Sequence, residues 1–423
     1  MKTINADIAI IGGGPAGLAA AIQANKSGIS HDRILIIERN EFLGGILQQC
    51  IHDGFGILLF NKLLTGPEYA QIFVDDVRKR EIKYMLGSTV TSIKKVNGGF
   101  SLEVCSKKFG IMNIMSKSII FSTGCRERTR GQILIPGTRP AGIYTAGCVQ
   151  NLVNLKGILP GKNIVILGSG DIGLIMARRL TLEGVNVEAV IEIMPYSSGL
   201  PRNIVQCLRD YNIPLYLKHT VVEIRGKKKL EEVVISRVDD NFRPIEGTER
   251  ILPCDTLVLS VGLIPENELL RGLNIALDPY TNGPIVDENL QTSIKGIFSC
   301  GNCLHVHDLV DYVTLEGKLA GKNAAEYVLG KIKEKKKIKV RKGSGLRYVL
   351  PHFISGKKDI SLSTRVLEPG REKKIIVKSK NRILKEIFKR KVNPAEMIRF
   401  ELRKENLEDV SGEIVVSLEN SSL

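Results

Sequence analysis

One local pattern occurs twice in this chain and constrains its fold more than any other feature. The apolar run 8–11 is followed by Gly12-Gly13-Gly14-Pro15-Ala16-Gly17, and the run 164–167 by Gly168-Ser169-Gly170-Asp171-Ile172-Gly173. Each reads as a strand, a glycine turn and the start of a helix. Each is followed by a second apolar strand that ends in an acid: Glu38 after Ile34-Leu35-Ile36-Ile37, and Glu192 after the run 187–191. Both acids stand about twenty residues beyond the third glycine, as a dinucleotide fingerprint requires.

The spacing has a chemical reason. The first glycine lets the chain turn sharply out of the strand, the second lets backbone approach a pyrophosphate, and the third lets helix and strand pack closely. The helix N-terminus offers unpaired N–H groups and partial positive charge to the phosphates. The acid accepts hydrogen bonds from ribose hydroxyls. A single GxGxxG is a weak signal. Two copies, each with strand, helix and acid in place, predict an α/β chain of two nested Rossmann-type, three-layer domains. The halves also end alike, with Ser122-Thr123-Gly124 closing the run 118–121 and Ser260-Val261-Gly262 closing the run 256–259. Alternating apolar residues fill 89–104 and 221–238, and Asn97-Gly98-Gly99 marks a hairpin turn in the first of these.

Length and composition agree with this reading. The 423 residues suffice for two or three domains. Apolar residues are 43% and charged residues 25%, which suits a globular chain. No uninterrupted apolar stretch is long enough for a membrane span, and Gly12 to Pro15 break the run 8–22, which argues against a signal peptide. Eight scattered cysteines without an export signal point to a reducing cytoplasm. The net charge of +16 lies partly in lysine-rich runs at 227–229 and 331–342. No aromatic residues interleave with those runs, so nucleic-acid binding is not expected. The lysines read as solvated faces, or as a means of docking an acidic protein.

The two fingerprints and their closing segments resemble the two-dinucleotide-binding flavoproteins, the thioredoxin reductase-like and glutathione reductase-like pyridine nucleotide oxidoreductases. The resemblance spans about residues 4–330. It implies FAD in the first unit, held by Gly12, Gly14, Pro15, Ala16, Gly17, Glu38, Gly45, Thr123, Gly124, Gly301 and Asn302. It implies NAD(H) in the second, held by Gly168, Gly170, Asp171, Ile172, Gly173, Glu192 and Gly262. Asn302 departs from the pattern, since the family usually carries Asp there against the ribityl chain. A narrower likeness lies in Gly44-Gly45-Ile46-Leu47-Gln48-Gln49-Cys50-Ile51-His52, in Gly124-Cys125-Arg126-Glu127-Arg128, and in Leu304-His305-Val306-His307-Asp308. These runs are similar to a bacterial subgroup that accompanies a glycerol-3-phosphate dehydrogenase-type flavoprotein, and to the alpha subunits of proline dehydrogenases and opine oxidases. That likeness implies a dehydrogenase partner and an oligomer or hetero-complex.

Candidate chemical residues are few. No CxxxxC follows Gly45. Cys300 and Cys303 form a CxxC that brackets Gly301-Asn302, and two thiols are half of a usual metal set, so no metal site is expected. Cys50 follows the Gly44-Gly45 loop and has the placement for a redox thiol, with His52 lowering its pKa, or for a packed cysteine. His52, His305 and His307 fall in segments that the family brings near the flavin, where an imidazole suits proton transfer, although His305 and His307 also have the placement of helix caps. Glu192 without a following arginine predicts NADH over NADPH.

The expected organisation is an FAD domain at 1–145 and 259–332, an NAD(H) domain at 146–258, a lysine-rich linker at 333–342 and a small all-β, sandwich-like domain at 343–423. The expected activity is electron passage between NAD(H) and a partner dehydrogenase. The alternatives are a stand-alone NADH oxidase or peroxidase using Cys50, and a flavin-binding assembly protein without catalysis.

Overall fold

The first apolar run becomes the centre of a mixed sheet. In the computed structural model, which describes residues 2–332, 338–410 and 412–421, strand Lys2–Ile11 pairs in parallel with Ile34–Ile37 on one side and Gly110–Phe121 on the other. Lys83–Met85 extends the sheet beyond Ile34–Ile37, and Ile297–Ser299 pairs in parallel with the end of Gly110–Phe121. The antiparallel strands Gly99–Ser106 and Ser88–Val96 complete it, joined by the hairpin in which Val96 pairs with Gly99 across Asn97-Gly98. Successive side chains of the centre strand feed opposite cores: Ile8 and Ile10 enter one apolar cluster, Ala9 and Ile11 another. Burial on both faces is why the run is apolar without alternation.

The chain divides into two compact units, Met1–Cys125 with Pro265–Leu423, and Arg126–Ile264. In the second unit Asn163–Leu167 is the central strand of a parallel sheet, with Asn186–Glu192 and Leu215–Leu217 on one side and Thr256–Leu259 and Ile143–Thr145 on the other. Ile164 and Ile166 face one core, and Val165 and Leu167 the other. A three-stranded antiparallel sheet, His219–Arg225, Glu232–Arg237 and Arg250–Pro253, completes the unit.

Two expected boundaries are corrected. Residues 126–145 and 259–264 belong with the second unit, because Ile143 pairs with Leu257 inside its sheet. The expected linker 333–342 contains a strand. Residues 333–337 lie outside the described residues, while Ile338–Lys342 is a strand paired with Glu413–Asn420.

The tail forms two sheets, of five strands and three strands, around a core that includes Leu346, Leu362, Ile375 and Val416. Sequence reading missed Arg382–Val392, whose charges hide its alternation. It is an edge strand, and its lysines and arginines guard the open edge. Nor is the tail separable. Tyr348 and Leu350 are buried in the core shared with the first glycine-turn helix. His352 bonds to Asp278 (3.0 Å), and the Ser355 hydroxyl donates to Glu288 (2.7 Å).

Candidate functional site

The two glycine turns are built alike, atom for atom. Gly12 N–H donates to the Ile37 carbonyl (2.9 Å) and Gly168 N–H to that of Ile191 (2.7 Å). Both glycines have φ above +100°, where a side chain is strained. A Cβ on either would fall 2.4 Å from the Ser122 carbonyl oxygen or 2.1 Å from that of Ser260. The third glycines are also fixed by packing: a Cβ on Gly17 would lie 2.0 Å from the Gly12 oxygen, and one on Gly173 2.6 Å from the Gly168 oxygen. The second glycines differ. A Cβ on Gly14 would meet only the Gly45 Cα at 3.9 Å, and one on Gly170 only the Ser260 hydroxyl at 3.8 Å. Folding therefore requires the first and third glycines but not the second. The bare backbone at the second faces open space, as a pyrophosphate cradle needs. Gly124 is likewise open, with φ of +72°.

The fingerprint acids hold the turns. Glu38 is 4% exposed and accepts from the N–H groups of Gly13 (2.6 Å) and Asn40 (2.8 Å). A carboxylate has about four acceptor positions, so roughly two remain for ribose hydroxyls. Glu192 repeats the pattern with the N–H groups of Ser169 (3.0 Å) and Met194 (2.9 Å). It also accepts from the hydroxyls of Ser169 (2.5 Å) and Ser198 (2.6 Å), so that Oε2 is crowded while Oε1 accepts from Met194 and keeps a position open. A ribose hydroxyl can reach Glu192 through Oε1 without displacing either serine. Asp171, expected at the nucleotide, instead accepts from Leu200 N–H (2.8 Å) and Asn203 (2.6 Å), tying helix Pro201–Cys207 to the turn. Pro15 sits in the first turn of helix Pro15–Lys26, and Ile172 in the matching turn of Asp171–Leu182, half-buried against the core.

The closing segments are also tied down. The Thr123 hydroxyl donates to the Glu266 carbonyl (2.7 Å), and the Glu266 N–H to that of Gly124 (3.0 Å). Gly262 has φ of +102° and accepts from Arg128 N–H (3.0 Å). Gly45 approaches the first turn so closely that a Cβ would lie 3.0 Å from the Gly14 Cα. Gly301 is pressed against Ala16, and helix Val310–Val328 lies on the first turn's helix through Gly317 and Gly321, whose Cβ atoms would fall 2.3 and 2.1 Å from the carbonyl oxygens of Ala16 and Ala20.

The candidate chemical residues divide into two groups. Cys50 is half-buried and its thiol donates to the Ile46 carbonyl (3.3 Å); His52 Nδ1 lies 2.9 Å from the Asp53 carbonyl, and its ring rests on Phe55. His305 and His307 lie together with ring centroids 4.1 Å apart, and neither acts as a helix cap. They converge on Glu316, which is eleven residues beyond His305 and gave no signal in the sequence. His305 Nε2 is 2.9 Å and His307 Nε2 3.6 Å from Glu316 Oε1. Burial, with His307 beside it, pushes the His305 imidazole down to about 4. Glu316 stays far below the usual carboxylate range: burial opposes this, but the two imidazoles outweigh it. Asn302, expected at the ribityl chain, holds His307 through its N–H (3.0 Å) and Nδ1 (3.3 Å), and its amide donates to the Cys125 sulfur (3.7 Å). Cys300 and Cys303 are wholly buried, and burial pushes both thiols up, away from the thiolate a redox dithiol needs.

Comparison with known proteins agrees with this construction. Residues 6–326 match the family described as pyridine nucleotide-disulphide oxidoreductase. An alkyl hydroperoxide reductase subunit of Pseudomonas aeruginosa is 27% identical over 76% of this chain and 58% of its own length. An opine oxidase subunit of Agrobacterium tumefaciens is 23% identical over 70% of this chain and 61% of its own. This chain thus spans about three fifths of those two relatives. The crystal structure of thioredoxin reductase from T. acidophilum superimposes with a TM-score of 0.63 and 26% identity, over 77% of this chain and 99% of that one. No helix among the described residues is long and apolar enough to cross a membrane.

Proposed function

We propose, from the premise that this chain belongs to the pyridine nucleotide-disulphide oxidoreductase family, that it passes electrons between NAD(H) and a partner flavoprotein dehydrogenase of the glycerol-3-phosphate or amino-acid type. Members of this family are oxidoreductases that bind FAD and NAD(P)H. The observation that carries the reading is the doubled turn in which only the second glycine is open, a cradle for a pyrophosphate in each half. Bound FAD supplies two-electron redox chemistry that links a nicotinamide to a second acceptor or donor.

The chain's own residues supply binding and orientation. The turns 12–17 and 168–173 present helix N-termini to phosphate, and Glu38 has acceptor positions left for ribose. Glu192 accepts a ribose hydroxyl at Oε1 and repels a 2′-phosphate, which favours NADH. The buried, protonated Cys300 and Cys303 argue against a dithiol relay to disulfide substrates. The family's name is thus a poor guide to this chain's electron acceptor. The opine oxidase relative is, by its name, one component of a larger oxidase, and an assembly of that kind supports the partner reading. The exposed Arg371, Arg382, Arg390 and Lys391 on strands Gly370–Ser379 and Arg382–Val392 would steer an acidic partner and speed encounter at low salt.

The test is reconstitution. The pure chain should carry FAD, be reduced by NADH and reduce artificial dyes, yet not oxidise glycerol 3-phosphate, proline or an opine. A partner dehydrogenase should co-purify from the native host, with salt weakening the association. Turnover of one of those substrates by the single chain would overturn the relay. A second reading, a peroxidase using Cys50, draws support from the close approach of the Gly45 loop to Gly14. Peroxide turnover that disappears in Cys50→Ser would favour it.

A further inference from the structure

His305, His307 and Glu316 each offer one donor atom, and the three lie within 4.8 Å of one another. The opposite atom of each side chain is already engaged. His305 Nδ1 is 3.1 Å from the Tyr348 hydroxyl, His307 Nδ1 is 3.3 Å from Asn302 Oδ1, and Glu316 Oε2 accepts the Gly301 N–H at 2.6 Å. Metal-binding histidines are oriented in this way, with the second ring nitrogen bonded to an oxygen that fixes tautomer and direction.

The hydrogen bonds fix which atom of each side chain points inward. Asn302 Oδ1 accepts the backbone N–H of His307, which identifies that atom as oxygen. With His307 Nδ1 directed at Asn302 Oδ1, Nε2 is the ring atom left to bind a metal. Nε2 faces Glu316 Oε1 at 3.6 Å. Both imidazoles are buried, with side chains 1% and 2% exposed. A cation placed among the three donor atoms is within reach of all of them. Bonds of about 2.0–2.1 Å in a tetrahedron place ligand atoms roughly 3.3 Å apart, close to the two histidine–Glu316 separations of 2.9 and 3.6 Å, and all three donors lie within 4.8 Å. His307 and Glu316 also line a cavity of about 880 Å³ beside helix Val310–Val328, which gives an ion a way in and leaves room for one more ligand.

We propose that His305, His307 and Glu316 bind a divalent transition metal ion, zinc by the donor set, with a water completing the tetrahedron from the cavity. Two imidazoles and one carboxylate with an open fourth position match the ligand types of catalytic zinc sites. Tyr348, Asn302 and Gly301 orient the ligands, so the metal would also tie the tail to the turn after Ile297–Ser299. The assignment is independent of the partner reading and does not require it.

The experiment uses the full-length, untagged holoprotein, stripped with a chelator and then titrated with Zn²⁺ or Co²⁺ alone. About one ion should bind per chain, and Zn²⁺ should raise the Tm. The Co²⁺ form should show ligand-field bands of a four-coordinate nitrogen and oxygen site, without a thiolate charge-transfer band. Tyr348→Phe should weaken Zn²⁺ binding tenfold or more, and His307→Ala should abolish it. If His307→Ala does not fold, His307→Asp supplies an oxygen ligand instead, and its Co²⁺ bands must shift. Failure of the stripped wild type to bind either ion would overturn the site. So would a Co²⁺ spectrum carrying thiolate bands, or one that His307→Asp leaves unchanged.

Discussion

Replacing Gly14 by alanine separates cofactor binding from folding. Gly14 has φ −79° and ψ −173°, which any residue adopts, and the added methyl meets one atom at 3.9 Å. Alanine caps a helix less well than glycine, while it also restricts the unfolded chain by about 0.4–1 kcal/mol. The two effects oppose, so apoprotein stability should change by less than about 1 kcal/mol. Binding should behave differently. A phosphate oxygen approaches backbone N–H to about 2.9 Å, whereas a methyl holds heavy atoms at about 3.5–4.0 Å. The pyrophosphate is displaced by roughly an ångström and loses at least one hydrogen bond to a charged group, about 1.5–3 kcal/mol. The FAD Kd should rise at least tenfold, the equivalent of about 1.4 kcal/mol. Gly17→Ala should do the reverse. Its methyl would lie 2.0 Å from the Gly12 oxygen and 2.7 Å from the Ser122 hydroxyl, so backbone must move at a cost of about 1–3 kcal/mol or more. Urea unfolding of the apoproteins reads stability, and flavin fluorescence titration reads affinity. Unchanged FAD affinity in Gly14→Ala, or a stability loss equal to that of Gly17→Ala, would refute the assignment of the second glycine to the cofactor.

Other outcomes follow from the same structure. Stopped-flow flavin reduction should be at least tenfold faster with limiting NADH than with NADPH, about 1.4 kcal/mol of discrimination, and equal efficiency would remove the role given to Glu192. Cys50→Ser should leave NADH-dependent flavin reduction within a few-fold of wild type, and neither form should reduce thioredoxin. For Asp278, burial acts to raise the carboxyl, but His352 and the N–H groups of Thr281 and Tyr280 outweigh it and hold it below 3.8. A depressed folded pKa gives stability that is present above about 3.8 and lost as pH falls through the folded value. The wild-type Tm should therefore fall more steeply below pH 3.8 than that of Asp278→Asn, and parallel curves would contradict the pairing. Deleting 343–423 should lower both solubility and FAD content, because Tyr348 and Leu350 leave the shared core; an intact, yellow truncated protein would show the tail to be separable after all.

The sequence by itself determined the two dinucleotide folds. A glycine turn, a buried strand and an acid at a fixed separation are local geometry, set by backbone strain at Gly12 and Gly168 and by the reach of a side chain back to its own turn. Turn chemistry also marked the Asn97-Gly98 hairpin, because a two-residue turn depends only on its own residues. Three matters rested on contacts between distant segments. Residues 126–145 joined the second unit because Ile143 finds Leu257, more than a hundred positions away. The tail became part of the first unit because Tyr348 fills that unit's core, which no periodicity reveals. Glu316 met His305 and His307 because Gly317 and Gly321 press its helix onto the first turn's helix. Side-chain chemistry is written residue by residue, but which groups share a site depends on packing across the whole chain, and only the tertiary structure decides that.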